Sequence, residues 1–172
     1  REATSTNVDG TANVLDYAKI YSAERFIFLS TDKVVNAASV MGQTKKLGET
    51  MTINSGKGFI AVRFGNIMGS RGSLIEIWER QINQGKPITV TDDRMKRYFM
   101  TMEEAASLLI QIEEIGKGVE IFVLDMGEQI SILDIAKRII QESKKKIGIK
   151  IIGRQPGEKF TEQLMTNEEK KK

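Results

Sequence analysis

The chain has 172 residues and a net charge of +3, with 40% hydrophobic and 28% charged residues, which is typical of one globular domain with a sizeable core. It contains no cysteine and no histidine, which excludes disulfides, thiolate catalysis and the commonest general base and metal ligand, so no metal site is predicted. The lysines are scattered and do not favour nucleic-acid binding, and no apolar run has the length of a membrane span. We therefore expect a cytoplasmic protein with no signal peptide or membrane segment in this chain.

Periodicity and turn signals predict the following elements in chain order. Apolar residues recur at helical spacing over about residues 3–21, and the apolar run "RFIFLS" is a predicted strand. A polar loop leads into the helix "SVMGQTKKLGETMTINS", the strand "FIAVRFG" and the helix "SRGSLIEIWERQINQGK". The strand "PITVT" and the extended segment "RYFMT" precede a helix that Thr101 and Glu104 open with a capping-box signature. The strand "VEIFVLDMG", the helix "SILDIAKRIIQES" and the strand "IGIKIIG" follow, and the tail "GEKFTEQLMTNEEKKK" is predicted to form a short helix and then fray.

The alternation of strands and helices predicts an α/β fold, a doubly wound parallel sheet with helices on its faces. The runs "FIFL", "FIAVRF" and "EIFVL" are almost wholly apolar, which suits strands that are buried on both faces. We therefore expect these three segments to be central parallel strands of one sheet.

Two predicted strands end in polar residues, "LSTDK" and "RFGN", and ligands of such sheets bind beyond the carboxyl ends of the strands. Thr31, Asp32 and Lys33 would place a hydroxyl, a proton donor and a base at one point, although the same residues also suit a plain strand end and polar turn. Met41 and Lys45 are four residues apart on one face of the next helix, where a methionine is also a common core residue.

The combination "STDK", "SVMGQTK", "RFGNIMGSRGS", "RYFMT" and "PGEK" resembles the CapD-type nucleotide-sugar 4,6-dehydratases, in order over nearly the whole chain. These are extended short-chain dehydrogenase/reductases of polysaccharide biosynthesis that act on UDP-N-acetylglucosamine. The resemblance implies that Asp32 is the acid that helps the carbon-6 hydroxyl to leave and that Lys33 is the base at carbon 5. It implies that Thr31 hydrogen-bonds the carbon-4 oxygen and that Lys45 holds the nicotinamide ribose. Met41 occupies the position where the wider superfamily has its catalytic tyrosine.

The resemblance also assigns residues to the sugar nucleotide. It implies that Asn66 holds the diphosphate, with Arg71 in the "GSRGS" turn beside it, and that Arg97 and Arg154 contact the nucleotide and diphosphate. Glu158 would meet the uridine ribose, or would only be a charge at a helix start. The family's arginine directly before Pro-Gly-Glu-Lys is displaced by one place here, to Arg154.

The implied cofactor is NADP or NAD, and Asn7 resembles a position that lines its pocket. The family's glycine-rich binding turn and the first strands of its sheet do not occur in this sequence. The resemblance therefore implies a single fragment of a Rossmann-like fold that lacks its first strands. Residues of about 1–68 would be the later part of the core, and residues of about 69–172 a small C-terminal substrate-binding lobe interleaved with returning sheet elements. A UDP-sugar substrate and a homo-oligomer are the expected partners, and the longer members imply a parent anchored at the cytoplasmic face of the membrane.

Three interpretations stay open at this point. The chain is the catalytic part of a nucleotide-sugar 4,6-dehydratase that acts within a complete protein, or it belongs to a related nucleotide-sugar epimerase. Alternatively, it is a truncated, inactive module for sugar-nucleotide binding or assembly.

Overall fold

The computed structural model describes residues 1–70 and 72–171. The helices are α1 (Glu2–Thr4), α2 (Gly10–Ile20), α3 (Val40–Ile53), α4 (Leu74–Asn83), α5 (Met102–Ile115) and α6 (Ile132–Ser143). The strands are β1 (Phe26–Thr31), β2 (Phe59–Phe64), β3 (Asn66–Ile67), β4 (Ile88–Val90), β5 (Lys96–Arg97), β6 (Phe99–Met100), β7 (Ile121–Val123), β8 (Ile130–Ser131) and β9 (Ile149–Ile151). Each predicted strand and each predicted helix before the tail is present.

The N-terminal helix contains a turn that the sequence did not predict. A π-helical turn, Ser5–Asp9, separates α1 from α2 within one helical run. Such turns are rare and frequently occur at functional sites. The turn contains Asn7, one of the predicted cofactor-pocket residues.

The chain divides into two compact units, of which the first holds the main sheet. This unit comprises Arg1–Phe64, Ala106–Asp125 and the described residues from Gln163 onward. Its sheet has the strand order β1-β2-β7, and both strand pairs are parallel. The prediction that "FIFL", "FIAVRF" and "EIFVL" form parallel strands of one sheet is therefore confirmed.

The three strands are not equally central. Strand β2 lies between the other two and is buried along its whole length, as expected for a strand that is covered on both faces. Strand β1 lies at an edge of this three-stranded sheet, and the side chain of Leu29 in it is 48% exposed. The expectation that all three strands are central was therefore wrong for β1 and for β7, which lies at the other edge of this sheet. An apolar run alone does not show how many neighbours a strand has.

The second unit comprises Gly65–Ala105 and Met126–Glu162. It contains three two-stranded pairs: β3 with β6 and β4 with β9 are parallel, whereas β5 with β8 is antiparallel. Its core centres on the fully buried side chain of Trp78, whose indole N–H donates to the Thr89 carbonyl at 2.8 Å. That this unit binds a sugar nucleotide stays a prediction.

Local capping signals position the helices that follow the sheet strands. The Thr101 N–H donates to the Glu104 carboxylate at 2.7 Å and the Glu104 N–H donates to the Thr101 hydroxyl at 3.1 Å, which confirms the predicted capping box. Ser39 caps α3 in a similar way through the Gly42 N–H. Among the described residues, no helix is long and apolar enough to cross a membrane.

The C-terminal tail differs from its prediction. Its described residues form only a 3₁₀ turn, Glu169–Lys171, instead of a helix near "GEKFTEQL". The carboxylate of Glu169 accepts two hydrogen bonds from Arg63, at 2.7 and 2.9 Å. Because a buried arginine holds this segment, the expectation that the tail frays was wrong at Glu169.

Candidate active site

The polar residues at the end of β1 form a compact hydrogen-bonded group. Asp32 begins a 3₁₀ turn directly after the strand, and its side chain is 0% exposed. Its Oδ1 accepts hydrogen bonds from the Thr31 hydroxyl and from the Lys33 ammonium, both at 2.9 Å. Its Oδ2 is buried and has no hydrogen-bond partner among the described residues. A buried carboxyl oxygen without a partner is energetically unfavourable unless another polar group reaches it.

Helix α3 brings Lys45 to the same strand. The Lys45 ammonium donates to the Leu29 carbonyl at 3.0 Å and lies 4.8 Å from the centre of the Phe28 ring. Burial lowers the pKa of Lys45 from its ordinary value, because the charged ammonium is partly removed from water. The half-buried Lys45 ammonium is thus held at the Leu29 carbonyl, two residues before Thr31 on β1.

Met41 lies in the first turn of α3 and is not a core residue. Its side chain is 38% exposed, whereas a core methionine such as Met95 is buried. The interpretation of Met41 as part of the hydrophobic core was therefore wrong, because its helix position faces away from the packed interior. A thioether has no proton to donate, so Met41 cannot perform the proton transfer of a tyrosine.

Gly42 explains how closely α3 approaches the Asp32 turn. A Cβ placed at Gly42 would overlap the backbone carbonyl oxygen of Lys33 and would come within 3.3 Å of the Ala37 side chain. Gly48, further along the helix, lies against the Phe28 ring, where a Cβ would come within 2.6 Å. Two glycines therefore set the contact between the helix that carries Lys45 and the strand that carries Thr31.

We expect Gly42→Ala to destabilise the protein, although alanine is the better helix former. The methyl group would force the Lys33 backbone to move, and overpacking of this kind typically costs about 1–3 kcal/mol. Gly10→Ala is the matched control, because a Cβ there would meet only the Ser5 carbonyl oxygen at 3.5 Å. That change should be neutral or stabilising by up to about 1 kcal/mol. Urea unfolding of both variants measures the difference, and equal stability would contradict the tight contact.

Asn7 fastens the N-terminal helix to α3. Its side-chain amide donates to the Thr44 hydroxyl at 3.0 Å, next to Lys45 in the sequence. The Thr44 hydroxyl in turn donates to the Met41 carbonyl at 3.0 Å. The structure thus brings Asn7 to the helix that carries Met41 and Lys45, while its role toward a cofactor stays a prediction.

A buried ionic group that sequence reasoning missed lies beside this site. Arg63, next to the last residue of β2, is 1% exposed, and its guanidinium donates to the Glu49 carboxylate at 2.7 and 3.0 Å. Glu49 is 0% exposed and also accepts from the Ser30 hydroxyl at 2.8 Å and from the Lys46 ammonium at 2.5 Å. An arginine within the otherwise apolar run "FIAVRF" was the available signal, since a buried charge needs a partner.

The pKa values of this group favour its charged forms. Burial by itself raises the pKa of Glu49, but hydrogen bonds from Arg63, Lys46 and Ser30 outweigh it and lower that pKa. Burial by itself lowers the pKa of Arg63, and the two carboxylates outweigh it and raise that pKa. The hydrogen bonds from Arg63 lower the pKa of Glu169 to about 2. All three side chains are therefore ionised at neutral pH.

The predicted sugar-nucleotide residues that the structure describes all lie in the second unit. Asn66 is on β3 and its backbone N–H donates to the Tyr98 carbonyl at 2.9 Å. Arg97 on β5 is buried, and its guanidinium donates to the Lys96 and Phe160 carbonyls at 2.7 and 3.1 Å. Arg71 lies outside the described residues.

Arg154 is exposed and lies over an aromatic ring. Its guanidinium carbon is 4.7 Å from the centre of the Phe160 ring, and that of Arg94 is 4.2 Å from the same centre. Glu158 stabilises the turn that connects Arg154 to Phe160, because its carboxylate accepts from the Gln155 N–H at 2.8 Å. No helix begins at Glu158 in the described residues, so the interpretation of Glu158 as a helix-start charge was wrong.

The two units thus contain different groups of predicted residues. The first unit brings together the residues assigned to acid–base chemistry and the cofactor, and the second contains those assigned to the sugar nucleotide. Among the described residues, no group of three or more Asp or Glu side chains could hold a metal ion.

The fold is a Rossmann-like α/β fold that solved structures share. Pen from Bacillus thuringiensis matches with a TM-score of 0.91 and 38% identity, over 98% of this chain and 55% of that chain. The dTDP-glucose 4,6-dehydratase of Bacillus anthracis, solved with NAD, matches with a TM-score of 0.78 over 98% and 61% of the two chains. At 17% identity the second likeness shows the fold alone.

The chain belongs to the polysaccharide biosynthesis protein family, which it matches over residues 1–172. It is 47% identical to the probable polysaccharide biosynthesis protein EpsC of Bacillus subtilis and 46% identical to the capsular polysaccharide biosynthesis protein CapD of Staphylococcus aureus. Both matches cover 98% of this chain and 29% of the relative. A UDP-glucose 4-epimerase of Rickettsia rickettsii is 39% identical over 98% of this chain and 51% of that protein. The chain therefore spans less than a third of EpsC and CapD and about half of the epimerase.

Proposed function

We propose that this chain carries the acid, the base and the sugar-nucleotide contacts of a nucleotide-sugar 4,6-dehydratase. The substrate is UDP-N-acetylglucosamine and the product a 4-keto-6-deoxy sugar nucleotide for a surface polysaccharide. The observation that carries the proposal is the Asp32 carboxyl group. It is fully buried at the end of β1, with one oxygen held by Thr31 and Lys33 and the other without a partner among the described residues. This arrangement supports a proton donor aimed at a ligand.

The pair formed by Asp32 and Lys33 can supply both the acid and the base of an elimination. Transfer of one proton along their 2.9 Å hydrogen bond converts the ammonium and the carboxylate into an amine and a carboxylic acid. The Lys33 amine can then accept the proton on sugar carbon 5, while Asp32 protonates the carbon-6 hydroxyl, which leaves as water. The two transfers restore the ammonium and the carboxylate, so the pair is ready for another turnover.

Thr31 is assigned to the carbon-4 oxygen of the sugar. Its hydroxyl donates to the Asp32 Oδ1 at 2.9 Å, so it is held at the same point as the acid. A hydroxyl can donate one hydrogen bond and accept two, which allows it to bind a substrate oxygen as well. This position would fix the sugar ring relative to Asp32 and Lys33.

Lys45 and Asn7 are the residues that we assign to the nicotinamide cofactor. When bound, NADP or NAD supplies the acceptance and return of a hydride, which no side chain of this chain can provide. The Lys45 ammonium has three N–H donors, and one of them bonds the Leu29 carbonyl. This ammonium therefore fits a further acceptor such as a ribose hydroxyl. The sequence contains no glycine-rich dinucleotide turn, so these residues account for the ribose side of a cofactor site only.

We assign Asn66, Arg71, Arg97, Arg154 and Glu158 to the UDP moiety. Arg154 is exposed, and its guanidinium lies over Phe160 and donates to the Glu158 carbonyl at 3.3 Å, which leaves other N–H groups for charge-assisted hydrogen bonds to a diphosphate. Arg97 is already bonded to two backbone carbonyls, so it also fixes the segment around Phe160.

Arg154→Ala should weaken UDP binding by about 1.5–3 kcal/mol, the usual contribution of a hydrogen bond to a charged group. Titration calorimetry of the full-length protein with UDP measures this loss. Arg80→Ala is the control, because it removes the same charge from an exposed helix position in the same unit. Equal loss in both variants would show that only net charge matters and would contradict the assigned contact.

Met41→Leu should preserve most of the turnover. The exchange conserves volume at a half-exposed position, and such swaps usually cost less than about 1.5 kcal/mol. Lys45→Ala is the comparator, since it removes the half-buried ammonium and should impair both cofactor binding and turnover. Steady-state rates of the two full-length variants provide the test, and an equally severe loss for Met41→Leu would give Met41 a chemical role.

A related nucleotide-sugar epimerase is the second candidate, favoured by the 39% identity to a UDP-glucose 4-epimerase. An epimerase returns the hydride to carbon 4 and loses no water, so the two reactions differ in product mass. The full-length protein is incubated with UDP-N-acetylglucosamine and a nicotinamide cofactor, and the products are weighed by mass spectrometry. Loss of one water supports the dehydratase, and unchanged mass with a new sugar stereochemistry supports the epimerase. No product from a cofactor-loaded, folded protein would contradict both.

A further inference from the structure

The buried ionic group around Arg63 connects the two elements that carry the proposed catalytic residues. We call Ser30, Lys46, Glu49, Arg63 and Glu169 the Arg63 cluster. The Glu49 carboxylate accepts hydrogen bonds from Ser30 on β1, from Lys46 on its own helix and from Arg63 on β2. Glu169 joins from residues 163–171, which we call the C-terminal segment, and the Leu164 carbonyl of the same segment accepts from Arg63 at 3.2 Å. The cluster thus joins β1, α3, β2 and the C-terminal segment at one place.

The cluster holds each catalytic element next to its reactive side chain. Ser30 directly precedes Thr31 on β1 and is two residues before Asp32, and Ser30 is buried. Glu49 follows Lys45 by four residues, which is one turn along the same face of α3. The hydrogen bond between Ser30 and Glu49, at 2.8 Å, therefore fixes the end of β1 relative to the helix turn that carries Lys45.

The charges of the cluster balance, since two carboxylates face one guanidinium and one ammonium. A buried ion pair is weak evidence for stability, because removal of the charges from water offsets their attraction. Well-packed apolar residues at these positions would hold the elements together as firmly. What the ions provide beyond that is a defined orientation of the elements, because a bidentate guanidinium donates its hydrogen bonds in a fixed geometry.

We propose that the Arg63 cluster is a positioning unit that aligns Asp32 with Lys45 and that the C-terminal segment, through Glu169, is part of it. The catalytic consequence rests on the proposed dehydratase function, whereas the mechanical coupling does not. None of these side chains is a catalytic residue, because each acts through the strand or the helix that it holds. The C-terminal segment thereby contributes to the active site although it carries no predicted site residue.

Ser30→Ala is the sharpest test, because it removes the link to β1 and leaves Glu49 paired with Arg63 and Lys46. Thr52→Val is the matched control, since it also deletes one buried hydroxyl of the same unit, and that hydroxyl donates to the Gly48 carbonyl of its own helix. In the full-length protein, Ser30→Ala should lower kcat by about 10- to 100-fold with KM nearly unchanged. A displacement of the reacting groups by about 1 Å is enough for such a loss, even when the protein stays folded. Thr52→Val should leave both parameters near the wild-type values.

Hydrogen exchange gives a second measurement that does not depend on activity. Ser30→Ala should accelerate exchange of the backbone amides of residues 29–34 more than Thr52→Val does. Glu169→Gln should accelerate exchange of residues 163–171 and, through Arg63, of residues 29–34. If the wild-type protein shows no dehydration, the proposed function fails while the exchange pattern still decides the coupling. A wild-type kcat in Ser30→Ala would overturn the proposal. Unchanged exchange at residues 29–34 in Ser30→Ala and Glu169→Gln would overturn it as well.

Discussion

Asp32→Asn should lower the dehydration of UDP-N-acetylglucosamine by the full-length protein by about 10²–10⁴-fold, the usual contribution of one general acid. The amide has nearly the same shape as the carboxyl group, so the buried position after β1 remains filled. It cannot, however, receive a proton from Lys33 and pass it to the leaving hydroxyl. The Oδ2 of the wild-type side chain, which has no hydrogen-bond partner in the part of the chain that the structure describes, is the atom that we expect to face that hydroxyl. Release of the 4-keto-6-deoxy product measures the effect.

The control for this substitution is Asp134→Asn. It makes the same chemical change at an exposed carboxylate of α6, which is 3.6 Å from the Lys137 ammonium. This variant should turn over at the wild-type rate. The dehydration rate of Lys33→Ala should fall to a level similar to that of Asp32→Asn, because the same proton passes through both side chains. Full activity of Asp32→Asn would remove the acid from the proposed mechanism, and the end of β1 would then be a plain strand end and turn.

Arg63→Met should destabilise the protein by about 3–5 kcal/mol, which is the typical effect of removing one partner from a buried ion pair. The methionine fills much of the same volume but, among the described residues, leaves the fully buried Glu49 with Lys46 as its one cationic partner. It also releases Glu169 and with it the C-terminal segment. Urea unfolding, followed by circular dichroism, gives the change in the free energy of unfolding.

Two further variants define what this loss means. Arg138→Met removes an arginine that is exposed and pairs with Glu142 one helix turn away at 3.0 Å, so it should change stability by no more than about 0.5 kcal/mol. The double variant Arg63→Met with Glu49→Met removes both buried charges and should recover much of the stability lost in Arg63→Met. A loss for Arg63→Met as small as that for Arg138→Met would mean that the buried charges do not depend on each other.

The sequence alone determined the elements whose signals are local. The apolar runs that form β1, β2 and β7 were sufficient to predict parallel strands, because a strand of a covered parallel sheet is apolar along its own sequence. The capping box of Thr101 and Glu104 was predictable for the same reason, since its partners are three residues apart. The polar residues after β1 were also identified from the sequence, because a strand end is a local feature, whereas their catalytic and binding roles stay predictions.

Only the tertiary structure decided the features that depend on distant partners. Arg63 and Glu169 are 106 residues apart, so no pattern along the chain could show that the tail is held in place. The exposure of Met41 and of Leu29 depends on which neighbours cover a helix or a strand, and periodicity does not give that information. The complete burial of Asp32, with one oxygen that has no partner among the described residues, depends on packing in the same way, as does the close approach of Gly42 to the Lys33 backbone. Burial and close approach are properties of packing between elements, and for this protein they determine the environment of the proposed acid.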